Sequence, residues 1–73
     1  PMAALAMPAV GDMIGTDPAT AKAALEKAGC TVDSFGAEDG KVEAKCTDVA
    51  TGKSAEVYID PASGKVVGVK IKN

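Results

Sequence analysis

Ala55-Glu56-Val57-Tyr58-Ile59-Asp60-Pro61-Ala62-Ser63-Gly64-Lys65-Val66-Val67 reads as strand, turn and strand. Ala55, Val57 and Ile59 alternate with Glu56, Tyr58 and Asp60, the period of a strand with one wet face. Asp60-Pro61-Ala62-Ser63-Gly64 then breaks the pattern: the Asp bonds turn amides, the Pro fixes φ, and the late Gly supplies a left-handed residue. Val67, Val69 and Ile71 resume the alternation against Gly68, Lys70 and Lys72. A loop this short joins antiparallel neighbours, so the stretch is a hairpin.

Upstream the same period recurs. Val42, Ala44 and Cys46 alternate with Lys41, Glu43, Lys45 and Thr47, and Thr51-Gly52-Lys53 is the turn that follows. Glu38-Asp39-Gly40 is another turn, and Cys30–Phe35 precedes it as a first strand. That strand is the weakest of the four, because Val32 and Phe35 fall on opposite faces of a regular alternation.

Before Cys30 the period changes from two to that of a helix. Asp17 is a good N-cap, since its carboxylate can accept from the free N–H groups of the first turn. Pro18 follows at the first helical position, where its missing N–H costs nothing. Ala21, Ala24, Leu25 and Ala28 form one apolar stripe, with Lys22, Glu26 and Lys27 on the other side. Gly29 ends the helix. A stripe made mostly of Ala lets the helix lie close on a flat surface. The expected class is therefore α+β: one main helix packed on a four-stranded antiparallel meander.

Composition limits the chemistry. The chain has 73 residues, 47% hydrophobic, 25% charged and 3% aromatic, with a net charge of −2. It is one globular domain and not a disordered tail. There is no His and no Arg, which removes His-based triads, His-ligated zinc and the bidentate guanidinium fork. A cysteine nucleophile would have no His as its base. RNA readers on four-stranded sheets stack bases on exposed aromatics. Only Tyr58 could serve here, and the sequence pI near 4.9 opposes phosphate binding, so no nucleic-acid partner is expected.

Residues 1–13 differ from the rest. Pro1–Ala9 carries no charge and is too short to span a bilayer. Ala4-Leu5-Ala6 has the small-x-small form of a signal-peptidase site. The segment is an N-terminal arm or a signal-peptide remnant, and residues 14–73 form the domain.

Cys30 and Cys46 are candidates for a staple, which domains this small commonly recruit. With residues 37 and 41 paired across the first turn, Cys46 faces Val32, Lys45 faces Asp33, and Cys30 lies diagonally from Cys46 on the same side. Diagonal Cα spacing of about 7–8 Å is at the limit of a bridge; a one-residue change in loop length on each strand would set the two cysteines directly opposite. The other reading is two buried thiols acting as small hydrophobes.

Ten carboxylates are spread along the chain. No window matches the oxygen-rich loop that calcium needs, and Asp60–Lys65 reads as turn chemistry. No metal, cofactor or catalytic residue is expected. The lysines of the strand region alternate with Glu43 and Glu56, as on a solvated face with cross-strand ion pairs.

Glu56-Val57-Tyr58-Ile59-Asp60 followed by Ser63-Gly64-Lys65-Val66, behind a capped helix ending in Gly29-Cys30, resembles the PepSY family over residues 14–72. The resemblance implies a helix on a small antiparallel sheet, sometimes duplicated, in proteins mostly exported or membrane-attached in bacteria. Some members lie in the propeptides of secreted thermolysin-type proteases, from which a regulatory or inhibitory role follows. It imports no catalytic residue, and the two cysteines are not a general family feature. The implied protein is non-enzymatic, periplasmic or extracellular, with a protein or peptide partner such as a peptidase. The reading from another class is a small periplasmic metal- or ligand-binding protein using surface carboxylates.

In a meander the outer strands are the first and the last. Lys70 and Lys72 guard the last. The first has Asp33 alone as a guard and leaves Phe35 unplaced in the core. Asp33 and Phe35 therefore mark the expected partner-binding edge, with Phe35 as a solvent-facing anchor.

Overall fold

The computed structural model describes residues 7–72. Helix α1 spans Pro18–Lys27, and four strands follow: β1 Cys30–Glu38, β2 Lys41–Asp48, β3 Ser54–Ile59 and β4 Val66–Ile71. The strands pair antiparallel in the order β1-β2-β3-β4, with α1 packed against β1. The class is α+β, as the alternation and the helix stripe require.

The helix starts where its cap says it should. Asp17 Oδ2 accepts from the Thr20 N–H and the Thr20 hydroxyl, both at 3.0 Å. Ala21 and Leu25 are buried, Ala24 and Ala28 are half-buried, and Ala23 is exposed, so the stripe is the packed face. Leu25, Val57, Ile59 and Val66 are the largest buried aliphatic side chains, joined by Ile14 from the N-terminal side.

Two β-bulges correct the simple alternation. In β1 the register shifts between Val32 and Ser34, leaving Asp33 as the extra residue. Val32 and Phe35 therefore share the helix-covered face. Beyond the bulge Lys45 pairs with Ser34 and not with Asp33, and Glu38 pairs with Lys41. The turn is thus tighter than the 37–41 pairing: Asp39 and Gly40 alone close it, both at positive φ (51° and 75°). That is the two-residue hairpin geometry whose twist matches the strands. The bulge restores the lost residue, so Val32 still pairs with Cys46. A second irregularity lies opposite Tyr58 and Ile59. It buries Val66 and turns Val67 outward, at 43% exposure, whereas Val69 and Ile71 keep the helix-side phase.

Of residues 1–13, Ala4-Leu5-Ala6 lies outside the described residues. Downstream, the Gly11 N–H donates to the Val66 carbonyl at 2.8 Å, and the Val66 N–H donates to the Asp12 carbonyl at 2.9 Å. Met13 bridges Lys65 antiparallel. This arm covers the start of the outer edge of β4. Gly64 is indispensable to it: its carbonyl accepts from the N–H groups of Ile14 and Gly15, and a Cβ there would meet the Gly15 carbonyl carbon at 2.8 Å.

Candidate functional site

Among the described residues β1 is an edge strand: β2 lies on one side and no strand on the other. An unpaired edge presents N–H and C=O groups able to pair with an extended chain. Its open-face positions carry Ser34, Gly36 and Glu38, paired with Lys45, Glu43 and Lys41. Its helix-side positions carry Val32, Phe35 and Ala37, paired with Cys46, Ala44 and Val42.

Phe35 is half-buried and packs on the core, which overturns its assignment as a solvent-facing anchor. The bulge is the reason, since it moves Phe35 to the face under the helix. There Phe35 walls a cleft of about 300 Å³, with Pro18 and Ala21 of α1, Val42, Ile59 and Pro61 as the other apolar lining. Ala21 is too short to fill the space between helix and sheet. Asp33 is exposed, and its Oδ2 accepts from the Thr47 hydroxyl at 3.1 Å. Asp33 and Phe35 thus sit on opposite faces of one edge, as a polar rim and an apolar wall.

On the open face, Glu56 is buried despite its charge, at 9% exposure. Oε1 accepts from the Tyr58 hydroxyl at 2.9 Å, and Oε2 pairs with Lys72 Nζ at 3.1 Å. These bonds, Tyr58 first, hold the Glu56 carboxyl below its usual range, and the same bond holds the Tyr58 hydroxyl above its own. The Tyr58 ring packs against Gly68, where an added Cβ would stand 3.4 Å from Cδ2. Near the first turn, the Glu43 side chain pushes the Glu38 carboxyl up. The cross-strand ion pair at Glu56 is the kind expected from the alternating lysines; the Tyr58 bond and the burial of Glu56 were missed by sequence reasoning, although their signal is there in Glu56 and Tyr58 at i, i+2.

Asp12, Asp17, Asp48 and Asp60 are committed to local structure. Asp12 accepts from the Ala9 N–H, Asp48 from the Ala50 N–H and the Thr51 hydroxyl, and Asp60 from the Ala62 N–H and the Ser63 hydroxyl. Those last two bonds lower the Asp60 carboxyl. Among the described residues no three Cys, Asp or Glu side chains converge as metal ligands would. No helix among them is long and apolar enough to cross a membrane.

Cys30 and Cys46 are joined as a disulfide, with Cα atoms 5.4 Å apart, and both are buried. The diagonal is shorter than in a flat sheet because the neighbouring bulge bends and twists β1. The bridge anchors the helix-side end of β1 and leaves the Phe35 end free of covalent restraint.

Comparisons with curated proteins and with solved structures give no match. The family model described as "Peptidase propeptide and YPEB domain" matches residues 2–70, nearly the whole chain, and the chain therefore belongs to that family, the PepSY family.

Proposed function

We propose that this chain is a non-catalytic PepSY module, exported to the periplasm or beyond, that binds an extended segment of a protein partner along β1. A peptidase is the partner class, and restraint of its activity is the role. The observation that carries this reading is the coincidence of an unpaired edge strand with an apolar cleft opening beside Phe35 on that strand. Main-chain pairing supplies affinity in such strand addition, and pockets for alternate side chains supply selectivity. The family description supports the choice of peptidase, and the disulfide fits an oxidising compartment.

The test uses the oxidised chain with a thermolysin-type peptidase as the probe, read by amide shifts and by cleavage of a protein substrate. The expected result is shifts confined to Cys30–Glu38 and Pro18–Ala21, with slower cleavage. Shifts elsewhere, or none at high peptidase concentration, would remove the reading.

A further inference from the structure

The two edges of the sheet carry opposite charge. β1 holds Asp33 and Glu38, followed by Asp39 in the turn, and has no basic residue. β4 and its flanks hold Lys65, Lys70 and Lys72 and no acid. Asp33, Glu38 and Lys70 are exposed. Among the described residues none of the three forms an ion pair, the one such pair being Lys72 with Glu56.

The apolar pattern matches as well. A strand added to β1 would place alternate side chains beside Phe35 and the cleft, and the others beside Asp33 and Glu38. It should therefore alternate apolar and basic residues, and Val69-Lys70-Ile71-Lys72 of this chain does so. Val69 and Ile71 pair with Val57 and Ala55 on the helix-covered face, and Lys70 pairs with Glu56 on the open face. Ile71 is 44% exposed beside that edge. Among the described residues the arm pairs with the start of β4, and Val67, Lys70 and Ile71 beyond it are exposed.

Topology permits the join. Four strands alternating in direction leave β4 antiparallel to β1. A second copy set beside the first lays its β1 antiparallel to that β4, with both helices on one side of the extended sheet. Pairing β1 with β1 would instead set acid against acid, and β4 with β4 lysine against lysine, which is repulsive.

We propose that β4 of one copy adds to β1 of the next, head to tail, so that the protein occupies its own binding edge until a competing strand displaces it. This rests on the reading of β1 as the binding edge, and it names the second copy as an occupant that regulates access.

Sedimentation of the oxidised chain over about two decades of concentration, at low and then high salt, tests it. The mass should rise with concentration and fall back as salt is added. D33K/E38K has two basic edges, and K70E cuts the basic edge to two lysines with a carboxylate between them; each alone should associate at least about tenfold more weakly, and an equimolar mixture should recover association through the unaltered β1 of K70E and the unaltered β4 of D33K/E38K. A wild-type chain that stays monomeric, association untouched by K70E, or a mixture that does not recover would overturn the proposal. The substituted side chains are exposed, and the salt titration needs no variant. A synthetic peptide of residues 67–72 separates the two readings. If it shifts β1 amides and dissolves the assembly, both stand. If it shifts β1 in a monomeric protein, self-pairing falls and the binding edge survives. If it does neither, both fall.

Discussion

Phe35 lies across from Ala44 on the same face as Val32, although three positions separate the two β1 residues. Asp33 absorbs the odd step and is held by Thr47. The bulge thus determines what the edge offers: an apolar wall toward the helix and a carboxylate toward solvent.

Phe35→Ala should consequently cost more than a surface change and less than a core one. A core Phe loses about 3–5 kcal/mol on truncation, and half-burial brings the expected loss to about 2 kcal/mol. A urea melt measures it. A loss well under 1 kcal/mol would return Phe35 to solvent, against its packing on the core.

The helix, the meander order and the buried stripe were legible because each rests on local signals: Asp17-Pro18, the Gly-bearing turns, and alternation along β2 and β3. The bulges were not legible. A single extra residue reverses facing downstream, and nothing in Val32-Asp33-Ser34-Phe35 says which residue is extra. Pairing 37 with 41 gave the cysteines their true neighbours through two compensating errors, a turn drawn one residue too long and a bulge left out. The cleft could not be read at all, since Pro18, Phe35, Val42 and Pro61 meet only through tertiary packing.

The close seating of α1 gives a paired test. Ala24 is half-buried against the core and Ala23 is exposed. Ala24→Leu should overpack and cost on the order of 1–3 kcal/mol, toward the lower end because one side of the site is open. Ala23→Leu should stay within about 0.5 kcal/mol of wild type. Thermal melts of the two variants, side by side, report which face is packed.

The Cys30–Cys46 bridge spans 16 residues, and closing such a loop should stabilise the fold by about 3 kcal/mol in the chain-entropy model. For a domain of this size that corresponds to a fall of roughly 12–24 °C in Tm on reduction. Thiol titration of oxidatively folded protein in denaturant should find no free thiol. Two titratable thiols, or a Tm indifferent to reductant, would show that the pair does not staple the chain.

Stability should also depend on pH through Glu56. Its folded carboxyl is lowered from the ordinary 4.5 by the Tyr58 hydroxyl and then by Lys72, so the folded state binds its proton more weakly than the unfolded chain. The contribution is therefore present above the ordinary value and is lost as pH falls through the lowered one. Glu38 acts in the opposite sense. The Glu43 side chain raises it, so protonation is easier in the folded state and its contribution grows as pH falls toward the ordinary carboxyl range. Urea midpoints at about pH 7, 5 and 3 for wild type, Glu56→Gln and Glu38→Gln separate the two. Between the two lower values the wild type should lose more stability than Glu56→Gln, which has no charge to lose. At neutral pH Glu38→Gln should be the more stable of the two variants, because it removes a repulsion where Glu56→Gln removes an ion pair. Parallel curves for wild type and Glu56→Gln would mean that the Glu56–Tyr58–Lys72 network contributes nothing that depends on its charge.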